Sequence, residues 1–164
     1  MARAEIRPAT EDDVPIILSL IRELAAYERL SHEVVATEGL LRESLFGERR
    51  GAEVLIACCK GAPAGFALFF HSFSTFLGRP GIYLEDLYVK PKFRGRGIGY
   101  ALLTHLARLA RLAKGRGCGR LEWSVLDWNE PAIKLYKSIG AVPMDEWTVY
   151  RVTGEALETL ATRG

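Results

Sequence analysis

The segment Lys90-Pro-Lys-Phe-Arg-Gly-Arg-Gly-Ile-Gly99 has the residue types and spacing of an anion-binding loop. Glycines at alternate positions, Gly95, Gly97 and Gly99, let the backbone turn its amides to one side and admit a ligand closely. At the start of a helix, those amides and the helix dipole suit a pyrophosphate. Lys90, Lys92, Arg94 and Arg96 surround the loop with cations. It is not the dinucleotide fingerprint G-x-G-x-x-G, whose third glycine would fall on Tyr100. Nor is it a Walker A loop, since no Gly-Lys-Ser/Thr follows. Taken alone, the segment also fits a glycine-rich turn with solvated charges. A nucleic-acid loop has no further basic or aromatic clustering to support it.

A second chemical feature lies just upstream. Glu85 and Asp86 interrupt an otherwise apolar run, where carboxylates are costly unless they have partners or a cleft. Neighbours on a strand point to opposite faces, so one of the two faces a given site unless a bulge intervenes. Other chemistries find little support. Cys58, Cys59 and Cys118 are odd in number and show no C-x-x-C spacing, which fits neither a disulfide framework nor zinc. His32, His71 and His105 are scattered and form no H-x-x-x-H pair, so no metal site is expected. No G-x-S-x-G elbow is present.

The elements that position these groups follow from periodicity. The 164 residues are 49% hydrophobic and 26% charged, with a net charge of +2, as in an ordinary single globular domain spanning 1–164. That charge does not suggest a nucleic-acid or membrane-surface protein. The apolar run Val54–Cys59 is far too short to span a bilayer, and Arg3, Glu5 and Arg7 do not resemble a secretory leader. A cytoplasmic location is expected. Residues 4–8 read as a strand. Thr10 and Asp13 resemble a capping box ahead of an amphipathic helix over 14–25, and a shorter helix runs from Thr37 to Gly47. Strands over 53–59 and 64–73 are joined by a turn at 60–63, and a third strand covers 81–89. A helix follows Gly99 through Ala113 and stops at Gly115 and Gly117. A strand at 121–125, a helix from Asn129-Glu130-Pro131 to Gly140, a strand at 147–152 and a helix at 155–161 complete the chain. The order predicts an α/β fold with a mixed, mostly antiparallel sheet. Its strand–helix–strand unit over 81–125 should be parallel.

Arg94-x-x-Gly97-x-Gly99 after a strand resembles the acetyl-CoA pyrophosphate motif of the GNAT superfamily of N-acetyltransferases. Further matches are similar to its diamine acetyltransferase branch: Tyr83-Leu-Glu-Asp-Leu-Tyr-Val89, Trp128-Asn-Glu-Pro131, Leu135-Tyr136-Lys137, Ile6-Arg-Pro-Ala-Thr10 and Glu23-Leu-Ala-Ala-Tyr-Glu28. Together they cover nearly the whole chain. The resemblance implies flanking helices and a splayed parallel strand pair that holds acetyl-CoA. It implies that Leu87, Tyr88 and Val89 bond the pantetheine arm, and that Arg94, Gly95, Arg96, Gly97, Ile98, Gly99 and Tyr100 cradle the pyrophosphate. Asn129, Pro131, Ala132 and Tyr136 would complete the cofactor side. Asn129 is equally suited to capping its helix.

For catalysis the resemblance implies Glu85 as base or water-positioning group and Tyr136 as general acid toward the departing thiolate. Read from the residues alone, Glu85 fits an ion pair at a sheet surface, and Tyr136 fits a core face with Ala132, Leu135 and Ile139. Tyr27, Glu28, Asp86, Glu146 and Trp147 resemble the branch's amine-side residues, carboxylates and aromatic rings both suiting an ammonium. Polyamine-acetylating relatives carry an acidic residue ahead of Tyr-Leu-Glu-Asp; this chain has Phe73-Ser-Thr-Phe76, with Arg79 nearby. A small diamine-like or lysine-like amine is therefore the implied acceptor. The expected reaction is direct N-acetyl transfer from acetyl-CoA, with a homodimer implied by the branch. Two other readings fit the sequence: a non-catalytic acyl-CoA-binding module and a protein or peptide N-acetyltransferase.

Overall fold

Helix α1 (Val14–Tyr27) starts where its capping residues require. The Asp13 carboxylate accepts from the Thr10 amide at 2.7 Å and from the Thr10 hydroxyl at 3.3 Å. It also accepts from the two terminal nitrogens of the Arg7 guanidinium, at 2.7 and 2.9 Å. Arg7 lies on strand β1 (Glu5–Pro8), so one buried carboxylate fixes both the helix start and its angle to the sheet. The Arg7 hydrogen bond, reinforced by those from Thr10, holds the Asp13 carboxyl down to about 2 against the cost of burial. The structure, a computed structural model, describes residues 3–112 and 116–163.

Helix α2 (Glu38–Phe46) is capped by the Thr37 hydroxyl, which accepts from the Leu40 amide at 3.2 Å. Strands β2 (Glu53–Cys59), β3 (Ala62–Ser74) and β4 (Arg79–Val89) then form an antiparallel meander. Helix α3 (Ile98–Leu112) leads to β5 (Leu121–Trp123), which pairs with β4 in parallel. The described sheet has the order β1-β2-β3-β4-β5. On one face, Ile17, Leu20 and Leu24 of α1 pack on Val54, Ile56, Phe66 and Tyr88. The alternate residues Leu55, Ala67, Phe69 and Leu84 are buried on the other face, the side served by α3, which contacts β2 to β5. Cys58, Cys59 and Cys118 are buried free thiols.

The mixed sheet and its parallel closing pair match the sequence-based expectation, and the element boundaries shift by a few residues. Ala113 and the stop at Gly115 lie outside the described residues. The chain divides into two compact units, 1–128 and 129–164. The second contains α4 (Glu130–Ser138) and α5 (Gly154–Thr162). One expectation is corrected: residues 147–152 form no strand. A strand is defined by a paired neighbour, and the described sheet ends at β5. Among the described residues no helix is long and apolar enough to cross a membrane.

Because the folded-state pKa of Asp13 is depressed, its contribution is complete above the ordinary carboxylate range and is lost as pH falls from about 4 to 2. Asp13→Ala is expected to cost about 2 kcal/mol in urea unfolding at pH 7. The deficit should shrink toward pH 2. A cost that is the same at both pH values would contradict the assigned anchor.

Candidate active site

Strand β4 outlasts its parallel neighbour. The β4–β5 ladder runs Ile82↔Leu121, Tyr83↔Glu122 and Leu84↔Trp123, and there β5 ends. Beyond Leu84, Asp86 to Val89 continue β4 and among the described residues pair with β3 alone. Their other edge opens a cleft in which backbone groups need partners. This is the splay expected from the sequence, and Leu87, Tyr88 and Val89 lie along it.

The loop after β4 completes the cleft. A short 3₁₀ turn (Pro91–Phe93) precedes Arg94, and Gly95 and Gly97 have φ of 76° and 75°, a region that L side chains seldom adopt. The Gly97 carbonyl accepts from the Ala101 amide at 2.9 Å, so the helix begins there. The amides of Ile98, Gly99 and Tyr100 therefore point beyond the helix start with no intrahelical acceptor. Exposed Arg96 and Tyr100 flank them. Such an array can bind a diphosphate.

A bulge shapes the acidic side of the cleft. Leu68 opposes Asp86 while Phe69 opposes Leu84, which leaves Glu85 as the extra residue. Without the bulge, Asp86 would share the face of Leu84. With it, Asp86 shares the face of Leu68 and Tyr88, toward α1. Glu85 is exposed and Asp86 is half-buried. Burial, with the charges of Glu85 and Glu28, pushes the Asp86 carboxyl up to about 6. Glu28, just past the end of α1, is itself raised by burial. Two acids from different segments thus act on Asp86.

Aromatic rings border these acids. Tyr27 lies 5.9 Å from Trp128, centroid to centroid, and Arg29 covers Trp128 at 5.3 Å. Arg94 lies over Tyr27 at 4.9 Å and over Tyr88 at 5.6 Å. The Tyr88 hydroxyl is raised mainly by burial and by Glu23, with Arg94 acting in the opposite sense.

Other site residues predicted from the sequence belong to the second unit. Asn129 takes the N-cap position of α4, and its carbonyl accepts from Ile133 at 3.0 Å. Its side chain makes no capping hydrogen bond to α4. Pro131 occupies the first turn, and Ala132 and Tyr136 lie half-buried along the helix. Glu146 is exposed and Trp147 is 73% exposed.

Two contributors carry no signal in the sequence pattern. Gly65 of β3 faces the end of β4 so closely that a Cβ would collide with the Tyr88 carbonyl oxygen. The same Cβ would lie 3.1 Å from the Val89 Cα. Arg29 is the other, an exposed cation whose stacking on Trp128 depends on tertiary structure.

Comparison with known proteins agrees with this geometry. The model of the acetyltransferase (GNAT) family matches residues 19–141. The chain belongs to the GNAT family. It is 44% identical to a thialysine N-epsilon-acetyltransferase of Bos taurus, over 98% of this chain and 99% of the relative. An L-ornithine N5-acetyltransferase of Arabidopsis thaliana is 33% identical, over 96% of this chain and 87% of its own length. Among solved structures, an integron cassette protein from the mobile metagenome of V. cholerae superposes with a TM-score of 0.80. It is 31% identical and covers 99% of both chains. The GNAT protein described here is therefore an acyltransferase that moves an acetyl group to an amine.

Gly65→Ala should displace the Tyr88–Val89 backbone, at a stability cost of about 1–3 kcal/mol. Calorimetric titration is expected to give coenzyme A binding about tenfold weaker, from a 1.4 kcal/mol loss at the cleft. Unchanged affinity would show that the placement of the Tyr88–Val89 backbone does not govern donor binding.

Proposed function

We propose that this GNAT protein transfers the acetyl group of acetyl-CoA to the primary amine of a small, lysine-like or diamine-like molecule. The observation that carries the reading is the open edge of β4, with the amide-rich loop at its end and three carboxylates beside it. The loop amides Gly95–Tyr100 would take the pyrophosphate, and Leu87–Val89 the pantetheine arm. Asn129, Pro131, Ala132 and Tyr136 would lie along the same donor. Relatives named for thialysine and L-ornithine support an amino-acid side-chain amine as acceptor.

The acceptor arrives as an ammonium with pKa near ~10.4, so neutralising it at pH 7 costs about 4.6 kcal/mol. Asp86 and Glu28, with Tyr27, would hold this cation; Glu146 and Trp147 are the remaining amine-side candidates. Glu85, exposed at the bulge, would accept its proton directly or through water. The neutral nitrogen then attacks the thioester carbonyl, and the Leu87 amide would stabilise the oxyanion. As the C–S bond breaks, Tyr136 would give its phenol proton to the departing thiolate and be reprotonated by the second proton of the acylated nitrogen, leaving a neutral amide. No cysteine nucleophile is required, and the three thiols are buried.

The same reading places the enzyme in the cytoplasm, where its free thiols stay reduced. It also makes the protein a homodimer with no nucleic-acid or membrane partner. Val142, Met144, Trp147, Val149 and Tyr150 are 61–91% exposed, an apolar set suited to a protein partner.

An amine panel assayed by thiol release from acetyl-CoA tests the reaction. Lysine-like amino acids and short diamines are expected to be turned over. Donor binding without release above background would make the chain an acyl-CoA-binding module, and acetylation of peptides alone would move the acceptor to proteins. With the best amine, kcat/KM should rise with pH through about 6 as Asp86 ionises. Asp86→Asn should raise the amine KM and abolish that limb. Tyr136→Phe should lower kcat about 10²-fold while leaving coenzyme A affinity nearly intact. An unchanged kcat would remove Tyr136 as the acid.

A further inference from the structure

The Arg94 side chain turns back onto the fold. Its Nε donates to the Val89 carbonyl oxygen at 2.9 Å, and its guanidinium lies over the rings of Tyr27 and Tyr88. Tyr27 is the last residue of α1, and its ring is braced in turn against Trp128. A second tie runs from the same helix to the same loop, since Glu23 pairs with Lys90 at 3.6 Å. Helix α1 thus holds the loop at its entry, immediately before the first glycine with positive φ.

This placement bears on the loop's order. Glycines at 95 and 97 allow the required turn but lose more conformational freedom than any other residue when fixed. A loop that is competent in only a fraction of molecules binds more weakly in proportion to that fraction. Arg94 meets three partners at once, two aromatic faces and a carbonyl. A planar guanidinium suits that set, and a lysine ammonium does not. Tyr27 supplies a ring face to this contact, so its hydroxyl is dispensable for it.

We propose that Tyr27 is a positioning residue for the donor loop: by stacking on Arg94 it pre-orders the amides that receive the pyrophosphate, in addition to any part in amine recognition. The proposal rests on the reading that residues 95–100 bind the pyrophosphate of acetyl-CoA.

The test is calorimetric titration of coenzyme A into the wild type, Tyr27→Leu, Tyr27→Phe, Arg94→Lys and the Tyr27→Leu/Arg94→Lys double variant. Tyr27→Leu is expected to weaken binding about fivefold, the usual scale of a cation–π contact. Tyr27→Phe should stay within about twofold, because the ring face remains. In the Arg94→Lys background, Tyr27→Leu should add no further loss, since the stack is already gone. Equal affinity in the wild type and Tyr27→Leu, or losses that simply add, would overturn the positioning role while leaving the donor site intact. Absence of coenzyme A binding in the wild type would overturn the donor site and the positioning role with it. Should Tyr27→Leu not fold, hydrogen exchange at 95–100 in ligand-free Arg94→Lys decides. Faster exchange than wild type is expected, and unchanged exchange would overturn the proposal.

Discussion

The early end of one strand organises this molecule. Strand β5 stops at Trp123, opposite Leu84, and β4 runs on for five more residues. A backbone amide or carbonyl buried without a partner costs as much as a lost hydrogen bond, so a long open edge inside a fold calls for a ligand or water. The neighbouring elements favour a ligand. Gly65 lets β3 approach the far side of β4 without displacing it, and the loop turns its amides toward the point where β4 ends. In the donor-binding reading, the thioester arm takes the place of the missing strand.

The cleft also carries an electrostatic cost. Asp86 is moved by the bulge from the face of Leu84 to the face that α1 covers, where desolvation and the charges of Glu85 and Glu28 oppose its ionisation. A folded protein would be more stable with a neutral group there. In the proposed reading a cationic acceptor reverses the balance, because an ammonium beside Asp86 favours its ionised form. The cost of keeping three carboxylates together then becomes selectivity for a cation.

Much of this was legible in the sequence. The glycine and cation spacing of 90–99 marked the turn between β4 and α3, and local capping signals at Thr10 and Thr37 located two helix starts. These are short-range patterns, fixed by residues within a few positions of one another. What escaped depends on distant pairing. The length of β5 is set by its match to β4, the Glu85 bulge by the register of β3, and the close approach at Gly65 by the strand opposite. The stack of Arg94 on Tyr27 joins residues 67 positions apart, and nothing in either segment announces it. The expected strand at 147–152 failed for the same reason: a strand needs a paired neighbour, which no short run of residues specifies. The role proposed for Tyr136 rests on its place in the Asn-Glu-Pro…Tyr helix and on the family resemblance.

Hydrogen exchange with and without coenzyme A tests the open-edge account most directly. The amides of Leu87–Val89 and of Gly95–Tyr100 are expected to slow together on addition of the ligand, while those of β1 and β2 stay unchanged. Binding that leaves the end of β4 as exchangeable as before would contradict the claim that the donor replaces the missing strand.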